Sequence, residues 1–230
     1  MKAAAIVAAA GSGRRMKNNT RKQYLYLEGV PVLARSIKLF LDCSAINTVV
    51  VVIPDGEEDE VKRLIEPYCS FNKLFFTAGG ETRQQSGTRG LAVLPAEAEL
   101  VCIHDAARPL ASSRLLENLL GAAAEFGAAV PVIRLSDTVK EVDEKGLIIA
   151  TPRRESLRLV QTPQVFKRSL IEEAYRLADE NGFEATDDAA LIEAAGLPVK
   201  TVPGEEKNFK ITTPLDLAFA ELLLKGEAIK

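Results

Sequence analysis

Residues 3–8 form a short unbroken apolar run that stops just before Gly11 and Gly13. A strand covered on both faces has this pattern, because neither face alternates with polar residues. It recurs as the β-branched run 47–53 and as the shorter runs 74–77, 100–104 and 128–133. Between these runs the apolar residues fall at helical spacing. Pro31 opens a segment carrying Val32, Leu33, Ile37, Phe40 and Leu41, and proline suits a first helical turn. The acidic stretch 57–60 starts a helix to about Tyr68, with negative charge favourably placed at its N-terminus. Residues 82–94 and 112–126 read as two more helices.

Strand and helix alternate through the first half, which predicts an α/β class, Rossmann-like fold. It is a mostly parallel sheet with helices on both faces. The rhythm then breaks. Residues 137–142 alternate polar and apolar, 143–146 are turn-forming and 147–150 are apolar. This predicts a β-hairpin over 137–151 projecting from the body. Residues 161–166 return to the sheet, and helices follow at 168–179 and 187–195. Segments 199–202 and 209–212 read as short strands, and Pro214 starts a last helix through Leu224. We expect a single domain over 1–230 with an arm at about 137–158. A lone two-stranded hairpin is marginal in water, so a second copy of the chain is its expected support.

Composition narrows the functional classes. The net charge is −3, from 29 basic and 32 acidic residues in 230. No global basic footprint favours nucleic acid, so a basic cluster is local. The three cysteines, Cys43, Cys69 and Cys102, have no metal-type spacing, and Cys102 sits in an apolar run. This sparse, odd count points to a reducing, cytoplasmic setting. The apolar start is too short to span a membrane, and no partner of that kind is expected.

The local basic cluster follows the first strand. Gly11-Ser12-Gly13-Arg14-Arg15-Met16 is succeeded by Lys17, Arg21 and Lys22. A glycine turn at a strand end exposes backbone N–H groups that bind anions, and five cations beside it make a polyphosphate cradle. The dinucleotide fingerprint is disfavoured by Met16 at its third glycine, and a mononucleotide P-loop by the absence of Gly-Lys-Ser/Thr. In open parallel sheets ligands sit beyond the carboxyl ends of strands. The residues expected there are Gly79, Gly80, Glu81, Thr82, Arg83, Gln85 and Ser86; then His104 to Pro109; then Gln161 to Gln164; and Thr186, Asp187, Asp188 and Lys210. Asp105 is the candidate for a divalent cation, since magnesium takes one or two carboxylates plus phosphate oxygens; pairing with Arg108 is its alternative. His104, the only histidine, is expected to be buried and structural. No nucleophile–base pair stands out. Nucleotidyl transfer asks little covalent help of a protein beyond cations and positioning.

Taken in order, these motifs resemble the 2-C-methyl-D-erythritol 4-phosphate cytidylyltransferase family of the sugar-phosphate nucleotidyltransferases. The resemblance rests on the first glycine loop, Lys22-Gln23-Tyr24, Gly79-Gly80 with Arg83 and Ser86, His104 to Pro109, Asp137-Thr138, Thr162-Pro163-Gln164, Thr186-Asp187 and Lys210. It implies transfer of a cytidylyl group from CTP to methylerythritol phosphate, with Mg²⁺. It gives Arg15 and Lys22 to catalysis. Ala9, Ala10, Gly11, Gly13, Gly80, Glu81, Ser86, Asp105 and Ala106 fall to the nucleotide, with Asp105 also at the metal. Thr138, Arg154, Thr162, Thr186 and Lys210 fall to the substrate. It also implies a homodimer in which Thr138 and Arg154 reach into the partner's site. Ribitol 5-phosphate cytidylyltransferases share the fold, loop and CTP, and a non-catalytic CTP-binding module is the alternative from another class. The family usually has proline where this chain has Arg21, a departure expected to add a cation near the phosphates.

Overall fold

The computed structural model describes residues 1–11 and 21–226. Strand β1 (Ala3–Ala8) leads, after residues 12–20, to a 3-10 turn at Lys22–Tyr24. A two-residue hairpin follows, β2 (Tyr26–Leu27) and β3 (Val30–Pro31), then α1 (Val32–Leu41), β4 (Ile46–Ile53), α2 (Glu58–Ile65), β5 (Leu74–Ala78) and α3 (Arg83–Ala92). Next come β6 (Leu100–Asp105), α4 (Ser113–Phe126) and β7 (Ala128–Arg134). The arm carries β8 (Glu141–Val142) and β9 (Ile148–Ala150). The chain closes through β10 (Arg158–Val160), β11 (Gln164–Lys167), α5 (Arg168–Asn181), α6 (Asp188–Ala194), β12 (Lys200–Pro203) and α7 (Pro214–Leu224).

The main sheet runs β10-β7-β11-β6-β1-β4-β5, with β12 also on β7. β1 lies parallel between β4 and β6, and β5 is parallel to β4. The returning strands β10 and β11 are antiparallel to their neighbours. The central strands alternate faces with period two. Ala3, Ala5 and Val7 pack with Val49, Val51 and the α1, α2 and α4 residues Ile37, Phe40, Ile65 and Leu119. Ala4, Ile6, Val50 and Val52 pack on the other face with Leu91, Ile171, Ala174 and Ile192 of α3, α5 and α6. This double cover explains the unbroken apolar runs.

Several boundaries differ from the sequence expectation for local reasons. Pro31 pairs with Tyr26 in β3 and precedes α1 instead of filling its first turn. α2 stops at Ile65, short of Tyr68, because the nitrogen of Pro67 carries no N–H to continue the helical bonding. Segment 209–212 is not a strand. It crosses a loop, where Ile211 N–H bonds Ala107 O at 2.8 Å and Phe209 stacks on Phe219 at 5.3 Å.

The arm is a two-stranded sheet of its own, β8 against β9. Leu147, Ile148 and Ile149 are 60–64% exposed in the single chain. Among the described residues no helix is long and apolar enough to cross a membrane.

α3 approaches the sheet closely because Gly90 has no side chain. A Cβ there would lie 2.8 Å from Ile6 Cγ2 and 3.2 Å from Val52 Cγ2, both on buried strands. Gly90→Ala is expected to lower the unfolding free energy by roughly 1–2 kcal/mol, overpacking outweighing the gain in helix propensity. Urea titration measures this, and an unchanged or higher midpoint would mean that α3 moves off the sheet without cost.

Candidate active site

Strand ends at β1, β5 and β6 open onto one cavity of about 540 Å³. Ala10, Gly11, Lys22, Gly80, Glu81, Ser86, Asp105, Ala106 and Lys210 line it, along with Ala8, Gln23, Thr82, Arg83, Ala107 and Thr212. Most of the nucleotide-side residues singled out in the sequence therefore meet here. Ala9 is buried just behind, where its carbonyl accepts from Gln23 Nε2 at 2.6 Å. Gly13 and Arg15 lie outside the described residues.

The glycine pair after β5 is shaped by the first turn of α3. Thr82 caps that helix, its hydroxyl accepting from Gln85 N–H at 3.1 Å. Ser86 Oγ accepts from Gly80 N–H at 3.0 Å, and Gln85 Oε1 accepts from Glu81 N–H at 2.8 Å. A Cβ on Gly79 would lie 2.4 Å from Ala10 Cβ, so the β1 and β5 loops meet only because that position is glycine. A slot walled by backbone results.

Asp105 ends β6 at the cavity floor and is nearly buried. Arg83 Nη1 stands 2.9 Å from its Oδ1; Lys210 Nζ stands 2.8 Å and Arg108 Nε 3.6 Å from its Oδ2. Burial opposes its charge, but Arg83, Lys210 and Arg108 together hold its carboxyl well below the usual range. The Arg108 pairing weighed from sequence is thus present, as one of three. Arg83 also bonds Asp188 Oδ2 at 2.6 Å, and Tyr175 OH donates to Asp188 Oδ1 at 2.5 Å. Cations outnumber carboxylates on this floor, which suits an anionic ligand.

Lys210 is held there although its segment is irregular. Asn208 Nδ2 donates to Thr162 O at 2.9 Å, Arg108 Nη1 donates to Asn208 O at 2.8 Å, and Ile211 N–H reaches Ala107 O. Thr162 lies behind the floor. Its hydroxyl accepts from Asp105 N–H at 3.0 Å and donates to His104 Nδ1 at 2.9 Å. His104 Nε2 then donates to Arg108 O at 3.1 Å. The histidine is structural, as its burial in the sheet predicts. Gln164 Nε2 donates to Asp187 Oδ2 at 2.7 Å, fixing the start of α6 beside the exposed Thr186.

Thr138, Arg154 and Thr186 do not line this cavity within the single chain. Arg154 lines a second cavity of about 450 Å³ at the base of the arm with Arg134, Leu135, Ser136, Glu155 and Arg158. Arg21 corrects the sequence expectation. It is bound to Glu57 at 2.7 Å and is absent from the cavity lining. Tyr175 carried no signal in the sequence. Its hydroxyl on the buried face of α5 could be read only as core.

A family model described as 2-C-methyl-D-erythritol 4-phosphate cytidylyltransferase matches residues 3–226. The chain belongs to this family. It is therefore a cytidylyltransferase, an enzyme of the nucleotidyltransferase class. A relative of that name from Desulforamulus reducens is 45% identical, the match covering 96% of this chain and 95% of the relative. The crystal structure of 4-diphosphocytidyl-2C-methyl-D-erythritol synthase from Anaerococcus prevotii superposes with a TM-score of 0.85 at 33% identity, covering 97% of this chain and 98% of that one. The 2-C-methyl-D-erythritol 4-phosphate cytidylyltransferase of Thermus thermophilus gives 0.81 at 36%, covering 98% and 100%.

Burial pushes His104 down from 6.5 to about 4. Between those values the unfolded chain carries a proton that the folded chain refuses, so stability falls as pH falls. The loss between pH 7 and pH 4 is about 3 kcal/mol. The Asp105 contribution is present above its ordinary value of 3.8 and is lost only at lower pH, as pH falls toward its depressed folded value. Urea midpoints measured from pH 7 to 4.5 are expected to fall more steeply in the natural chain than in His104→Gln. Parallel curves would place the acid sensitivity elsewhere.

Proposed function

We propose that this chain transfers a cytidylyl group from CTP to 2-C-methyl-D-erythritol 4-phosphate, giving 4-diphosphocytidyl-2-C-methyl-D-erythritol and pyrophosphate. The observation that carries the reading is the cavity itself. Lys22, Arg83 and Lys210 line it with Asp105, beside the glycine slot and the end of β1. In our reading Ala9, Ala10, Gly11 and Gly13 line the nucleotide, and Gly80, Glu81 and Ser86 receive the cytosine. A slot of backbone groups rejects a purine by size and meets the exocyclic amine with carbonyl oxygens. Asp105 and Ala106 lie toward the ribose and the phosphates.

A second phosphate ionisation lies near pH 6, so the attacking phosphate is already anionic at neutral pH and needs no general base. One of its oxygens bonds to the α-phosphorus as the bond to the bridging oxygen breaks. Pyrophosphate leaves with that electron pair. Lys22 and Arg15 offset the charge that gathers on the phosphates, and Lys210 and Thr162 orient the acceptor. Among the described residues no group of three or more His, Cys, Asp or Glu could cage a metal. Magnesium that arrives with phosphate oxygens asks for only one or two carboxylates, and Asp105 would hold it in exchange for one of its contacts with Arg83, Arg108 or Lys210. Bound magnesium supplies further neutralisation of the triphosphate.

Thr138, Arg154 and Thr186 complete the acceptor site in a homodimer. The exposed apolar arm supports this reading, since it lacks a covering surface within its own chain. The single domain with its arm at about 137–158 is then one half of a two-site enzyme. Three free cysteines fit a reducing cytoplasm.

Pyrophosphate release with CTP is expected with methylerythritol phosphate and not with ribitol 5-phosphate. Lys22→Ala is expected to lower turnover by ~10²–10³, the usual cost of removing one electrostatic donor, with little change in melting temperature. Near-normal turnover would remove Lys22 from the chemistry. Mixing Lys22→Ala subunits with Arg154→Ala subunits restores activity if the arm works across the dimer, because one site per mixed dimer keeps both residues. No recovery on subunit exchange would place Arg154 outside the partner's site.

A further inference from the structure

Arg21 stands next to Lys22, yet the two side chains serve different places. Arg21 Nε lies 3.1 Å from both oxygens of Glu57, and its Nη2 lies 2.7 Å from Oε1. Tyr24 OH donates to the other oxygen, Oε2, at 2.8 Å. Glu57 immediately precedes α2 and, like Arg21 and Tyr24, is outside the cavity lining. Burial would raise its carboxyl, but the Arg21 and Tyr24 hydrogen bonds hold it below the ordinary range. Residues three apart in a 3-10 turn eclipse one another. That is why Arg21, which caps the turn at Lys22–Tyr24, and Tyr24, its last residue, reach the same carboxylate. Between them, Gln23 donates to Ala9 O at 2.6 Å and Gly11 O at 3.2 Å. The turn is thus tied to α2 on one side and to the end of β1 on the other, and Lys22 lines the cavity.

We propose that Glu57, gripped by Arg21 and Tyr24, is a positioning residue that fixes the backbone under Lys22 and so aims its ammonium at the triphosphate. The proposal rests on the reading that Lys22 meets the triphosphate. A lysine has a flexible four-carbon stem, so its reach is accurate only if its Cα is held. The Arg21–Glu57 pair is about a quarter exposed on each side. A partly exposed pair adds less to folding than a buried one. Its larger effect is on geometry, where a displacement of about 1 Å can cost up to 10²-fold in rate.

Glu57→Gln and Arg21→Ala are made in the natural chain and again in Lys22→Ala, with steady-state kinetics and melting temperatures for all. With Lys22 present, each is expected to lower kcat about tenfold, with the KM for methylerythritol phosphate and the melting temperature nearly unchanged. In the Lys22→Ala background the same changes are expected to alter kcat less than about twofold, since coupled residues are non-additive. Tyr24→Phe, which removes a single hydrogen bond, is the milder control; it should give a smaller loss with the same dependence on Lys22. Equal losses in both backgrounds, or no loss with Lys22 present, would overturn the proposal and leave the function intact. An inactive Glu57→Gln with a collapsed melting temperature, together with an unaffected Tyr24→Phe, would overturn it as well. Full activity in Lys22→Ala would instead overturn the assignment of Lys22, and this proposal with it.

Discussion

A carboxylate at the end of a buried strand must be answered by charge, and Asp105 is answered from three directions. Arg83 comes from the start of α3, Arg108 from the turn after β6 and Lys210 from the segment before α7. Each partner is itself secured. Asp188, itself bonded by Tyr175 OH, holds Arg83, the carbonyl of Asn208 takes a bond from Arg108, and the Ile211–Ala107 bond fixes the segment that bears Lys210. Breaking a fully buried pair costs about 3–5 kcal/mol because a charge is left without compensation; here the cost is smaller for Arg83 and Lys210, which solvent partly screens. The helices α3, α5 and α6 and the loop before α7 are therefore coupled to the floor of the cavity by electrostatics as well as by packing.

This coupling sets what the site can do. With Asp105 firmly ionised and outnumbered, the cavity offers positive potential beside the glycine slot. Catalysis of phosphoryl-type transfer depends mainly on such fixed charge and on placement. The absence of a nucleophile–base pair is then a property of the chemistry. The neutral His104 belongs to the same scheme: a charged ring buried in the sheet would lose its solvation and face Arg108 and Lys210, so the ring spends both nitrogens on hydrogen bonds.

The elements that could be read from sequence are those whose pattern is local. The doubly covered strands β1, β4 and β6 appear as apolar runs, and the caps Thr82, Ser112 and Asp187 sit where the helical spacing begins. The arm declared itself where alternation met a turn. The glycine loops and Asp105 were legible because strand ends in a parallel sheet share one rim. Ties between distant segments were not legible. Arg83 and Asp188 are 105 positions apart, and Arg21 and Glu57 36 apart. Periodicity carries no information about which acid a cation will choose. The hairpin β2–β3 escaped notice because two residues per strand are too few to show a period. Only Gly29, with Glu28 beside it at positive φ, marks the turn. Segment 209–212 misled because its apolar residues serve a loop crossing.

The place of Lys210 in the chain has a bearing on biosynthesis. The cavity's first walls leave the ribosome with β1, but Lys210, the cation that closes its floor, comes only after every strand of the main sheet has been made. Through β12 the chain holds every strand of the main sheet but not the cation that completes the charge around Asp105. The hydrogen bonding of the sheet and the charge balance of the cavity are therefore laid down by different stretches of the chain.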